Sequence, residues 1–318
     1  MREAEYRKNQ VVKYLIWTFA PAYIVQICAA PLYSRSRTLG QLLIAAMMFV
    51  PALGAVIAGA DVKSMGWRPR IRKNIGTILI AWFAPAVLTA AGAALYFMIF
   101  PDHFDLSGGY LSSVVGAEAR GQLREQGISY PMYVLVSVVG GITYAPPLNM
   151  LTALGEEIGW RGFLYPQLRE RFGRCKGWLL GGFIWGTWHW PLIWLIGYEY
   201  GEAAGNPSGY IGFPVTGMLL FCVITAGLGI IHDRLYEKSG SLWVTALLHG
   251  AFNAAATLPL AVCLADTGSA RLLGPVPNGI IAGLPLLAAA VIILLRSGGK
   301  KTLECPAEER ENISGENR

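Results

Sequence analysis

The sequence predicts an all-α polytopic membrane protein of about eight transmembrane helices, with its active site inside the bundle. Three observations carry that expectation. Only 14% of the 318 residues are charged and 54% are hydrophobic, whereas a soluble domain carries roughly 25% charged residues. The mean hydropathy is +0.44. The apolar residues also gather into runs of about 20, the length a helix needs to cross the hydrocarbon core of a bilayer.

Taken in order, the runs fall at 11–30, 39–60, 75–100, 131–155, 177–198, 211–231, 242–264 and 279–295. The first follows Arg7 and Lys8 and contains Lys13. It exceeds the apolar core of about 7 to 15 residues typical of a signal peptide, so it reads as an uncleaved anchor. The second, third and sixth contain no charged residue. The fourth holds Pro146 and Pro147, which end one helix and suit the first turn of another that would run to about Leu168. The fifth and seventh carry His189 and His249, and the eighth is the shortest. Together the runs take up more than half of the chain, so one membrane domain is expected over 11–295, flanked by a short N-terminus at 1–10 and a polar, disordered tail at 296–318.

Charge supplies the orientation. Twenty Lys and Arg residues lie in 1–10, 61–74, 156–176, 232–241 and 296–318, and five lie in the alternate connecting segments. Under the positive-inside rule this places both termini in the cytosol. A net charge of +6 therefore reads as membrane topology, and no nucleic-acid partner is expected. The longest outside segment, 101–130, is expected as a mobile external cap. Cys28, Cys175, Cys222, Cys263 and Cys305 show neither CxxC nor CxH spacing, so neither a disulfide framework nor a thiolate metal site is signalled.

An ionisable group in hydrocarbon costs about 2.5–3.5 kcal/mol at a helix centre by insertion scales, so each one needs a reason. Lys13 lies near enough to the membrane surface to snorkel. Glu156, Glu157 and Arg161 stand at the end of the fourth run, His189 in the fifth, and His249 with Asn253 in the seventh. His103 and His232 are assigned to loops. Counted along upright helices, Glu156 and His189 lie about 18 Å from the cytosolic ends and His249 about 10 Å, so the three stations can share a level. Glu157 and Arg161 are i and i+4 in the favourable order for an ion pair, and Glu156 projects about 100° away, free for chemistry. His249 and Asn253 share a helix face, as do Trp185 and His189, where the indole is expected to hold the imidazole. Intramembrane polarity concentrated on three helices marks a functional site, either an enzyme or a proton-coupled carrier. A carrier would be expected to show polar groups in two pseudo-symmetric halves, whereas these all fall between 156 and 253.

This pattern resembles the CAAX-processing and bacteriocin-processing membrane endopeptidases, also called the type II CaaX prenyl endopeptidase or ABI family. Its EExxxR motif appears as Glu156-Glu157-Ile158-Gly159-Trp160-Arg161, its FxxxH as Trp185-Gly186-Thr187-Trp188-His189, and its HxxxN as His249-Gly250-Ala251-Phe252-Asn253. Trp185 departs from the usual Phe. The likeness covers about 150–256 and places a protease core at about 131–264. It implies a peptidase in which Glu156 and His189 activate a water while His249 and Asn253 stabilise the oxyanion, with Glu157 and Arg161 completing the site. It also implies a membrane-associated peptide or protein as substrate, prenylated in the CaaX case, and a prokaryotic plasma membrane as location. Some relatives are thought to be non-catalytic immunity proteins, but here every motif position is filled. Two His and one Glu also suit a zinc ion held by Glu156, His189 and His249. No HExxH is present, and Asn253 suits an oxyanion donor better than a zinc ligand, which favours catalysis without a cofactor.

Overall fold

The structure is a computed structural model and describes residues 2–116, 118–201 and 210–298. Among them there is no β-strand, only an isolated bridge between Phe104 and Cys263. The helices are α1 (Arg2–Arg35), α2 (Arg37–Met47), α3 (Val50–Ile57), α4 (Ile71–Ile99), α5 (Gly109–Val115), α6 (Glu118–Glu125), α7 (Tyr130–Ile142), α8 (Ala145–Gly159), α9 (Tyr165–Phe172), α10 (Arg174–Trp188), α11 (Trp190–Ile196), α12 (Val215–Ser239), α13 (Leu242–Ala255) and α14 (Leu284–Gly298). Most of the expected tail, with Cys305, lies outside the described residues.

Among the described residues, five helical stretches are long and apolar enough to cross a bilayer: Asn9–Tyr33, Thr38–Ile57, Ile71–Ile99, Val215–Ser239 and Leu242–Val262. A sixth is obtained if Tyr130–Ile142 and Ala145–Phe172, bent by 50° against each other, are taken as one span. Against the expected count of about eight, the described residues thus give five full spans, or six with the bent pair. The fourth run breaks before the Pro146-Pro147 pair, and the second helix of the pair continues past Leu168 to Phe172. The fifth run divides at His189, whose φ of −92° and ψ of −3° leave the helix just before Pro191 opens α11. The eighth begins at Leu284 and has 15 residues, or about 22 Å of helix.

Large apolar side chains point outward along these helices, with Val87, Val136, Met98 and Leu295 each more than 60% exposed. Outside a bilayer so much exposed hydrocarbon would carry a large hydration cost. The chain is an integral membrane protein.

Close helix contacts gather the centre of the bundle. α13 lies against α8 and α4, and α10 against α12. A Cβ on Gly250 would stand 2.4 Å from the Met150 backbone nitrogen, so only a glycine lets α13 approach α8 this closely. At one end of the bundle Leu242 N donates to Gly66 O at 3.0 Å, Asn74 Nδ2 to Ser239 O at 3.1 Å, and Gln10 Nε2 to Gly59 O at 3.4 Å. Arg169 pairs there with Asp233 at 3.0 Å and with Glu237. These are the segments that the charge pattern groups together. At the other end, the segment expected as a mobile cap carries two short helices. It is tied to the end of the seventh run by Leu264 N to His103 O at 2.9 Å and Asp105 N to Val262 O at 3.0 Å.

Candidate active site

The acid pair sits at the last turn of α8, where the helix widens into a π-turn over Trp160–Leu164. Single π-turns inside α-helices occur frequently at functional sites. Glu156 and Glu157 are both buried, yet their surroundings differ. Glu157 Oε1 accepts from Arg161 Nη1 at 2.8 Å and from His249 Nδ1 at 2.9 Å. The expected i, i+4 ion pair is therefore formed, with both side chains fully out of solvent. The guanidinium also lies over the Trp185 ring at 4.4 Å and the Tyr165 ring at 4.8 Å, which adds cation–π attraction where water is excluded.

Glu156 has only neutral donors. Its Oε2 accepts from Trp160 Nε1 at 3.0 Å and Trp185 Nε1 at 2.8 Å. This corrects the expected role of Trp185, because its indole holds the carboxylate and its backbone carbonyl holds the imidazole, with His189 Nδ1 3.0 Å from Trp185 O. A phenylalanine at position 185 could not supply that indole donor. The His189 ring also stacks on Tyr198 at 5.9 Å and an interplanar angle of 12°.

These partners fix the tautomers. A carbonyl only accepts, so Nδ1 of His189 carries the proton and the neutral ring keeps its lone pair on Nε2. His249 donates from Nδ1 to Glu157 by the same reasoning, and its Nε2 can donate only when the ring is an imidazolium.

Glu156, His189, His249 and Asn253 all line one cavity of about 210 Å³. Glu157 and Arg161 lie behind its wall. The tertiary structure therefore brings the three motif helices around a shared space, with Asn253 one helical turn beyond His249 and accessible. Most of the remaining lining is apolar, including Ile44, Met47, Leu192, Phe221 and Leu286.

Two lining residues were not anticipated. His232, expected in a loop, lies inside α12 with no exposed surface. Its Nδ1 stands 2.8 Å from Leu228 O, and its ring lies 5.7 Å from His249 and 5.6 Å from Trp185. Glu157, His232 and His249 are the three residues, among those described, whose ligand-type atoms come within 4.8 Å of one another. That trio differs from the Glu156, His189 and His249 set considered for zinc. It also fits a dication poorly, since Glu157 already neutralises Arg161.

The second is Glu199, in the turn after α11, whose Oε2 accepts from Asn278 Nδ2 at 2.6 Å. Surrounding protein pushes its carboxyl above the ordinary value, and the bond from Asn278 offsets part of that shift. Its position just past an apolar run gave no signal, because its partner lies 79 residues away.

Residues 125–255 match the family model for type II CAAX prenyl endopeptidase Rce1-like proteins. Through this region the chain is similar to that family. A curated relative, CAAX prenyl protease 2 of Methanococcus maripaludis, is 41% identical over 101 residues, covering 32% of this chain and 35% of the relative. The aligned stretch thus spans about a third of that relative's length. All six motif residues, from Glu156 to Asn253, fall inside the Rce1-like region, whereas Glu199's partner Asn278 lies beyond it.

Proposed function

We propose that this protein is an intramembrane endopeptidase acting on membrane-associated peptides or proteins, with prenylated C-terminal peptides as the first substrate class to test. The observation that carries the reading is the convergence of an acid, two imidazoles and a carboxamide from three helices on one cavity inside an apolar bundle. The Rce1-like region adds independent weight. The apolar lining suits a prenyl chain, and the positive-inside pattern orients both termini to the cytosol of a prokaryotic plasma membrane.

In this reading Glu156 and His189 share the proton of a water. Two indole donors fix Glu156 without neutralising it, so it remains a proton acceptor. His189 presents the lone pair of Nε2. The hydroxide adds to the scissile carbonyl carbon, and the carbonyl oxygen becomes an oxyanion facing His249 and Asn253. Donation from His249 requires its imidazolium form, whose counter-charge is the developing oxyanion itself, since Glu157 is already paired with Arg161. Preorganised donors of this kind contribute about 3–4 kcal/mol each in a water-poor site. Collapse of the intermediate breaks the C–N bond, and the proton held by the Glu156–His189 pair passes to the leaving amine. No cofactor is required by this route.

The test uses purified full-length protein and an internally quenched farnesylated peptide. Glu156→Gln keeps the shape of the side chain and its acceptor oxygen for the indoles, but it cannot take the proton. We expect it, and His189→Ala, to lower kcat by about 10²–10⁴-fold with the thermal transition retained. Turnover preserved in both folded variants would refute the assignment. Activity that is lost to a chelator and restored only by zinc would replace the metal-independent route with a metal-dependent one.

A further inference from the structure

The cavity has a second polar pole, remote in sequence from the motif residues. Glu199 and Asn278 line the same space as Glu156, His189 and His249, and among the described residues the lining contains no Lys or Arg. Its fixed charges are therefore carboxylates. Arg161 is neutralised by Glu157 behind the wall. Arg271, which reaches Tyr200 O at 3.4 Å, pairs with Asp266 at 2.9 Å and does not line the cavity.

The Glu199 carboxylate is held rather than free. Asn278 is clasped twice by the turn, its amide donating to Glu199 and its carbonyl accepting from Tyr200 Oη at 2.8 Å. Glu199 itself has a φ of +67°, a left-handed conformation that costs free energy in a residue with a Cβ and persists only where neighbours hold it. A carboxylate fixed in this way, facing a largely apolar cavity, attracts a cationic group and repels an anionic one, with little reorganisation on binding.

We infer that Glu199 and Asn278 form a cation-recognising subsite, so that peptides bound in this cavity present a lysine or arginine side chain to that pole. The inference rests on the cavity's being a peptide-binding site, as proposed above. It makes Glu199 a specificity-determining residue and leaves the steps at Glu156 and His189 unchanged.

The experiment separates binding from cleavage. Fluorescent farnesylated peptides that differ by Lys, norleucine or Glu at one position at a time are titrated onto the full-length Glu156→Gln variant, and quenched versions are given to the active protein. At one position Lys is expected to bind about tenfold tighter than norleucine, and Glu weaker than either. Adding Glu199→Gln should bring the three together while leaving the norleucine peptide within about twofold. Glu199→Asp should keep the order. Absence of any charge preference in the protein with Glu199 intact would overturn the proposal, whether or not the variants fold. So would a preference that survives Glu199→Gln. Charge-selective binding without cleavage would refute only the peptidase reading, and cleavage with charge-indifferent binding would refute only the subsite.

Discussion

The cavity has two unlike walls. One is made by α8, α10 and α13, with Glu156 in the last turn of α8, His189 at the break between α10 and α11, and His249 within α13. The other is made by the turn at 197–201 clasped to the segment at 271–278, where Glu199 depends on a partner 79 residues away. In the helical wall charge is managed by pairing, since Glu157 is fully buried between Arg161 and His249. Neighbouring Glu156 is held by neutral indoles. The loop wall instead holds its acid in a strained backbone against an amide. In the proposed reading the first wall carries the chemistry and the second discriminates what enters.

The largest effect should come from unpairing the helical wall. Arg161→Met strands the Glu157 carboxylate in a dry site and should destabilise the protein by about 3–5 kcal/mol. Removing both charges, as Arg161→Met with Glu157→Gln, should recover part of that loss. Denaturation in detergent, read from tryptophan fluorescence, measures both, and a double variant as unstable as the single one would contradict the pairing account.

Next in size is the seam between α8 and α13. Gly250→Ala places a methyl 2.4 Å from the Met150 backbone and should cost about 1–3 kcal/mol. Because His249 precedes Gly250 and Asn253 follows it, the variant should lose turnover even where it remains folded. Thermal shift and peptide turnover on the same sample test this, and unchanged activity would show that α13 can move without disturbing the site.

The smallest effect belongs to the loop wall. The Glu199 carboxyl titrates above its ordinary 4.5 in the folded protein, so the native state binds more protons than the unfolded chain in the window just above that value. Stability from this group therefore falls as pH rises through the window. Glu199→Gln keeps an acceptor for Asn278 and lacks this penalty. Its melting temperature should gain on the wild type as the pH is raised from about 4.5 towards neutrality, and a pH-independent difference would argue against a perturbed carboxyl.

Particular residues show where the sequence was readable. The Glu157–Arg161 pair and the shared face of His249 and Asn253 follow from 3.6-residue periodicity. Their gathering with His189 was inferred from the cost of isolated polarity in hydrocarbon. His232 was misplaced because Asp233 and Arg234 beside it suggested a loop. The helix in fact continues to Ser239, since Asp233 is neutralised by Arg169, 64 positions earlier, and bonded by the Trp178 indole. Trp185 was placed on the right helix face but given the wrong partner, because i, i+4 spacing does not reveal that an indole is directed towards another helix.

By itself the sequence determined the helical class, the membrane environment and the acid, imidazole and carboxamide set, because hydrophobic length and helical spacing are local properties of the chain. Only the tertiary structure decided which carboxylate is paired and which is held by indoles, that His232 joins the site, and that Glu199 faces the same cavity. Those outcomes depend on atoms brought together from distant segments, where desolvation and hydrogen bonding are settled by whichever side chain arrives opposite.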